Sequence, residues 1–343
     1  MNKKPLEPQN KGMNAEQLEQ WFRTMSPEQL AQKARETSIA TFGNRIYIRG
    51  LIEVSSYCRN DCYYCGLRAG NRNAERYRLT REEILDCCRY GYACGFRTFV
   101  LQGGEDPGLT DEWVERTVAA IRERYPDCAV TLSLGERSEP VYRRWFAAGA
   151  NRYLLRHETA NAPHYRKLHP PGLSLDQRKE CLYALKDIGY QVGAGFMVGS
   201  PGQTEETLSE DLAFLMDLQP HMIGIGPFVP HRDTPLRNEP AGTVRQTLEW
   251  IARLRLAFPK ALLPATTALG TIDPEGREKG ILAGANVVMP NLSPVAVRRK
   301  YELYDNIICT AEEAAEGLAS LKQRMQKIGY EIVVARGDHP EMR

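Results

Sequence analysis

From Ile46 to about Pro290, short β-branched or apolar runs alternate with amphipathic stretches at helical spacing. This alternation constrains the fold more than any other feature of the chain. The strand-like runs are YIRGLIEVSS (47–56), RTFVLQ (97–102), AVTLSL (129–134), RYLLRH (152–157), QVGAGFMVG (191–199), HMIGIGPF (221–228), ALLPATTA (261–268) and NVVMP (286–290). Between them lie segments such as TREEILDCCRYGYACG, DEWVERTVAAIRERYP and SLDQRKECLYALKDIG. Strands separated by helices of this length pair in parallel through crossover connections. Eight such units in roughly 250 residues suit a closed (β/α)8 barrel of the TIM type better than an open doubly wound sheet. The expected class is therefore α/β. Residues 1–13 read as a disordered tail and 14–45 as an N-terminal helical cap, with Ser26-Pro27 starting a second helix. Residues 46–343 read as the barrel with a C-terminal helical extension, ICTAEEAAEGLASLKQRMQKIG.

A barrel collects its chemistry where strands end and βα loops begin. The strand ends here carry Ser55, Gln102, Glu105, Ser133, Glu136, His157, Glu158, His231, Thr266, Thr267 and Asn291, whereas the helices carry ordinary surface charge. The glycine-rich run GAGFMVG (193–199) lacks the spacing of a dinucleotide fingerprint and reads as a strand.

Composition excludes several classes. A net charge of +2 in 343 residues gives no electrostatic case for nucleic acid or acidic lipid. No apolar run is long enough to span a membrane, and no apolar stretch follows the lysines of MNKKPLEPQNKGMN, so a cytoplasmic enzyme is expected. The nine cysteines are odd in number and unevenly spaced, which fits a metal site plus scattered buried thiols better than a disulfide framework.

Cys58, Cys62 and Cys65 follow the first strand in EVSSYCRNDCYYCGLR with the spacing C-x3-C-x2-C. Three thiolates in so tight a loop can hold one inorganic cluster. Iron–sulfur cubanes usually take four cysteines, so three leave one iron open to a ligand. The alternative is a structural zinc site of three cysteines and a histidine, although zinc loops usually come as paired units and no second unit exists here. Cys87, Cys88, Cys94, Cys128 and Cys181 sit in apolar contexts and read as buried small hydrophobes.

This loop at this place resembles the radical S-adenosylmethionine (SAM) superfamily. The resemblance implies a [4Fe–4S] cluster on Cys58, Cys62 and Cys65 whose open iron chelates SAM, and reductive cleavage of SAM to a 5′-deoxyadenosyl radical. It places Tyr64 beside the adenine, the backbone of Gly103, Gly104 and Glu105 (in LQGGEDPG) at the methionyl amino group, and Ser133, Glu158 and Arg178 around the rest of SAM. The blocks GIGPFVPHRDTPLRNEP, LLPATTALGTIDPEGRE, GANVVMPNLSP and YELYDNIIC resemble more narrowly the [FeFe]-hydrogenase maturase family HydE, within a group that includes PylB and biotin synthase. That resemblance implies a role in assembling the di-iron subcluster of hydrogenase. The radical would attack a cysteine-derived sulfur in an iron carbonyl/cyanide complex. HydG and HydF would be partners, with a low-potential electron donor. Thr131, Arg156, Thr266, Thr267, Met289, Tyr301 and Tyr304 are the expected substrate residues: hydroxyls, one fixed positive charge and a soft thioether suit a small anionic complex.

One departure stands out. Some HydE members carry a second cluster on a C-terminal cysteine triad, and here no cysteine follows Cys309. The other readings are a radical SAM amino-acid mutase of the methylornithine synthase type and a non-catalytic iron–sulfur scaffold.

Overall fold

The computed structural model describes residues 12–307 and 317–342. Helices α1 (Ala15–Arg23) and α2 (Pro27–Phe42) begin where the sequence signals them. The side chains of Asn14 and Ser26 accept from the backbone N–H groups of Gln17 and Gln29, whose own side chains accept from the cap N–H groups in return. Each reciprocal pair satisfies donors that a helix start leaves without partners.

The first barrel strand is broken at Arg49 into β1 (Arg45–Ile48) and β2 (Gly50–Ser55). Then follow α3 (Arg81–Ala93), β3 (Thr98–Gly103), α4 (Asp111–Arg124), β4 (Ala129–Ser133), α5 (Glu139–Ala147), β5 (Ala150–Leu154), α6 (Ala162–Leu168), α7 (Leu175–Ile188), β6 (Gln191–Ala194), β7 (Met197–Val198), α8 (Glu205–Leu218), β8 (Met222–Ile223), β9 (Gly226–Pro227) and α9 (Val244–Ala257). The chain continues through α10 (Thr267–Ile272), α11 (Gly276–Leu282), β10 (Val287–Val288), α12 (Val295–Arg298), α13 (Leu318–Lys327) and β11 (Glu331–Val333).

Six strands form one parallel sheet in the order β2-β3-β4-β5-β6-β8. The ring is completed by residues 262–264 and by β10. Ile223 donates to Leu262 O at 3.0 Å, Ala265 to Val287 O at 2.9 Å, Arg49 to Val288 O at 3.0 Å and Leu51 to Pro290 O at 2.9 Å. The expected seventh strand, 261–268, is therefore reduced to bridges, and α10 begins within it at Thr267. The sixth strand, expected as 221–228, is split into β8 and β9. The fifth, 191–199, is split at Gly195, whose φ of +153 leaves no room for a side chain: an added Cβ would lie 1.9 Å from Gly224 O. Helices α1 and α2 lie against the outer helices α8, α9 and α11.

The C-terminal segment departs from the sequence reading. The expected helix 308–329 is described only as α13, and Cys309 lies outside the described residues. Beyond α13 the chain forms a further strand, β11, parallel to β1 with Ile46 opposite Ile332. The run YEIVVA (330–335) carries the β-branched signal for it. Residues 336–339 then seal the N-terminal mouth of the barrel. Arg336 O accepts from Thr98 Oγ1 and Arg152 Nη2, both at 2.8 Å, and Asp338 pairs with Arg152 at 2.7 Å while accepting from Gln191 at 2.7 Å.

Burial alone would raise the Asp338 carboxyl, but Arg152 and Gln191 outweigh it and hold the group down from 3.8 to about 2. A depressed carboxylate stabilises the fold fully above its ordinary value and loses that contribution as pH falls through the folded one. Asp338→Asn is therefore predicted to cost about 2–3 kcal/mol at pH 7. Chemical denaturation of both chains should show the difference shrinking from about pH 4 to pH 2. A pH-independent difference would remove the ion pair as its cause.

Candidate active site

The three cysteines stand on the loop after β2. Arg76 holds this loop from within: its guanidinium donates to Ser56 O, and to Leu67 O at 2.9 Å, Arg68 O at 2.9 Å and Asn71 O at 3.1 Å. Neighbouring segments pin it from outside. Arg59 N donates to Glu105 O at 2.9 Å, Tyr63 N to Leu168 O at 2.9 Å and Gly66 N to Leu303 O at 2.9 Å. Gly66 is obligatory, because a Cβ there would lie 2.1 Å from Glu302 O.

Burial, followed by the neighbouring cysteines, raises the Cys62 thiol and pushes Cys65 up to about 12, and burial raises Cys58. Thiols gathered in such a setting keep their protons unless a cation compensates their charge, so the donor set fits a metal group. Among the described residues, no three His, Cys, Asp or Glu side chains are gathered closely enough to hold a single ion. Cys87, Cys88, Cys128 and Cys181 are buried and free, in keeping with packing roles.

Beside the loop lies a cavity of about 360 Å³. On its cysteine side stand Cys58, Tyr64, Cys65, Gly103, Gly104, Ser133, Glu158 and Arg178. The Tyr64 hydroxyl lies 3.3 Å from His169 Nε2, which fixes the ring against the wall. Arg178 is braced by Glu136 and by Arg156 O at 2.7 Å. Glu158 projects inward from a left-handed backbone, φ +64, and pairs with Arg156 at 3.0 Å. A non-glycine residue pays roughly 1–2 kcal/mol for that conformation. Cys62 and Glu105 are not among the cavity-lining residues. The Glu105 carboxylate accepts from Glu136 N at 2.8 Å and pairs with Arg59 at 2.8 Å, so it braces the loops and does not face the cavity.

The same cavity reaches Arg156, Thr266, Thr267, Met289, Tyr301 and Tyr304. Thr266 Oγ1 is buried with no partner among the described residues. Thr131 is the exception and a correction: it faces a separate void of about 10 Å³ lower in the barrel, with Arg49, Arg152 and His221. The sequence reading also missed Glu53 and Arg298, which line the cavity. Glu53 lies within strand β2, one turn of the alternation below the polar strand end, and burial pushes its carboxyl up to about 7 against hydrogen bonds from Asn291 and Ser293. Arg298 falls on α12, outside the expected β/α units, and only its buried position on the cavity wall reveals it.

Comparison with known proteins agrees with this geometry. Residues 52–215 match the radical SAM superfamily. The chain is 45% identical over 88% of its length to the [FeFe] hydrogenase maturase subunit HydE of Thermotoga maritima, covering 86% of that protein. It is 32% identical over 88% of its length to the 3-methylornithine synthase of Methanosarcina barkeri, covering 84% of that protein. The crystal structure of methylornithine synthase (PylB) superimposes with a TM-score of 0.81 at 27% identity, over 94% of this chain and 95% of that one. These matches define a radical SAM enzyme, which uses a [4Fe–4S] cluster and cleaves SAM reductively. Within that superfamily the chain belongs to the HydE family.

The two glycines at the end of β3 make different demands. A Cβ at Gly104 would lie 2.5 Å from Cys58 Cβ and 2.6 Å from Tyr57 O, whereas one at Gly103 would meet nothing closer than 3.4 Å. Gly104→Ala is predicted to displace the cysteine loop and to lower iron per chain at least about twofold, because overpacked sites must shift backbone. Gly103→Ala should keep its iron. Iron analysis after anaerobic reconstitution checks both, and equal iron in the two variants would contradict the close approach of Gly104 to the loop.

Proposed function

We propose that this chain acts in assembly of the [FeFe]-hydrogenase di-iron subcluster, with Cys58, Cys62 and Cys65 holding the cluster. The observation that carries the reading is the single cavity joining the Cys58 and Cys65 thiols to Thr266, Met289 and Tyr304. Bound there, the cluster and SAM supply a 5′-deoxyadenosyl radical, whose proposed target is a cysteine-derived sulfur in an iron carbonyl/cyanide complex.

The chain's own residues divide the work by position. Tyr64, the backbone at Gly103 and Gly104, Ser133, Glu158 and Arg178 orient SAM on the cysteine side. Arg178 meets the anionic end of SAM with a guanidinium already oriented by Glu136 and Arg156 O, so little rotamer entropy remains to be lost on binding. Arg156, Thr266, Thr267, Met289, Tyr301 and Tyr304 receive the substrate. The Thr266 hydroxyl, without a partner among the described residues, gains a ligand atom at no desolvation cost beyond the one already incurred. Leu51, Leu154, Leu155, Met197, Phe228 and Leu303 keep the intervening wall apolar and exclude water from the reacting atoms. HydG as supplier of the complex, HydF as recipient of the product and a low-potential electron donor complete the proposal. Amino-acid mutase chemistry is the second reading, favoured by the PylB-like fold. The higher identity to a hydrogenase maturase favours the first.

Two assays on the reconstituted protein and its gene test this. Reduction in the presence of SAM should yield 5′-deoxyadenosine. Expression in cells that lack their own HydE should restore hydrogenase activity, and Cys62→Ala should abolish both results. Thr266→Val, which keeps shape and deletes the hydroxyl, should lower the restored activity about tenfold, the effect of one lost hydrogen bond of ~1.4 kcal/mol. Nucleoside formed without restored hydrogenase would favour the mutase. No nucleoside from cluster-loaded protein would leave only a scaffold.

A further inference from the structure

Glu158 reaches the cavity only because its backbone is turned into the left-handed region, and the parts that hold the turn lie outside the cavity. Asp211, on the outer helix α8, carries one oxygen, Oδ1, that serves both flanks of the turn. It accepts from Ala160 N and lies 3.3 Å from His157 Nε2, with both the His157 and Asp211 side chains fully buried. Gly195 N donates to His157 Nδ1 at 3.3 Å, so a neutral imidazole carries its proton on Nε2, which lies close to Asp211 Oδ1 without the alignment of a hydrogen bond. The turn is also stitched to the break between β6 and β7. Glu158 N donates to Gly195 O at 3.1 Å and Met197 N to Glu158 O at 3.3 Å. Residue 160 is thus fixed from α8, residue 157 packs beside Asp211, residue 158 is held by its own backbone bonds, and its side chain lines the cavity beside Arg156.

A carboxylate in an apolar interior is costly, and Asp211 Oδ2 finds no partner among the described residues. An apolar residue would pack there at lower cost but could not tie both flanks of Glu158 together. We infer that Asp211, acting through His157 and Ala160 N, is a positioning residue that aims the Glu158 carboxylate at the ligand of the cysteine-side cavity. The inference rests on the proposed contact between Glu158 and SAM.

The test is the dissociation constant for SAM with anaerobically reconstituted, unreduced protein, read beside iron per chain. Asp211→Ala is expected to weaken SAM about tenfold or more, with iron as in the native chain. Asp211→Asn keeps an oxygen for Ala160 N and His157 Nε2–H and should stay within about threefold. In a Glu158→Ala background, Asp211→Ala should add less than about twofold, because the residue it positions is gone. If Asp211→Ala is insoluble, His157→Phe serves instead. It keeps the ring packing on Phe196 and Phe214, with centroids at 6.0 and 4.9 Å, and removes both nitrogens. It should weaken SAM to the same degree. Native SAM affinity in Asp211→Ala or in His157→Phe, beside a weakened Glu158→Ala, overturns the positioning role, as does a full additional loss in the double variant. Native affinity in Glu158→Ala itself would instead remove Glu158 from the SAM site.

Discussion

Parallel hydrogen bonding around a closed ring is the constraint on which the site depends. Every stave runs the same way, so every strand C-terminus and every βα loop opens at one mouth. The first stave is the critical one. It is bonded on one side to β3 and on the other to residues 288–290, and the cysteine loop grows directly from its end. Glu53, Ser55 and Asn291 sit at that junction. Asn291 donates to Glu53 at 2.9 Å, and Ser293 donates to the same carboxyl at 3.4 Å while accepting from Glu53 N at 2.8 Å. The wall that faces the cavity is thereby tied to the strand from which the cysteine loop grows.

The cavity is maintained against the tendency of a barrel to fill itself with side chains. Two of its charged residues, Arg156 and Glu158, hold each other, and Arg178 is held by Glu136 beside the cavity. Such buried pairs contribute little net stability, since desolvation offsets attraction. Their effect is to keep the side chains extended along the walls and the centre open. At the opposite mouth, the C-terminal segment closes the barrel through Arg152, Gln191 and Asp338. The tight packing lies there and the open volume lies at the functional end.

Much of this was legible in the residues because the informative features are local. The β/α alternation, the cysteine spacing, the glycines at the end of β3 and the polar strand ends each declare themselves within a few positions. What the residues alone did not reveal depends on height and distance. Thr131 and Ser133 share a face of β4, as alternation requires, yet two residues separate them by about 6.6 Å along the strand. That places Ser133 on the cavity and Thr131 in the void beneath it. Glu105 follows two glycines that approach the site, but its side chain leaves through the neighbouring loop. Arg76, eleven residues beyond the last of the three cysteines, grips their loop through carbonyl oxygens, which no sequence pattern marks. β11 was hidden because its partner, β1, lies nearly three hundred residues earlier in the chain.

The proposed cluster on Cys58, Cys62 and Cys65 would present an open metal position to this cavity. Electron paramagnetic resonance of the reduced, reconstituted protein, recorded with and without SAM, tests it directly. Three protein ligands and one open iron predict a [4Fe–4S] signal whose g-values shift when SAM is added. A [4Fe–4S] signal that SAM leaves unchanged, or one that survives replacement of all three cysteines, would contradict the account.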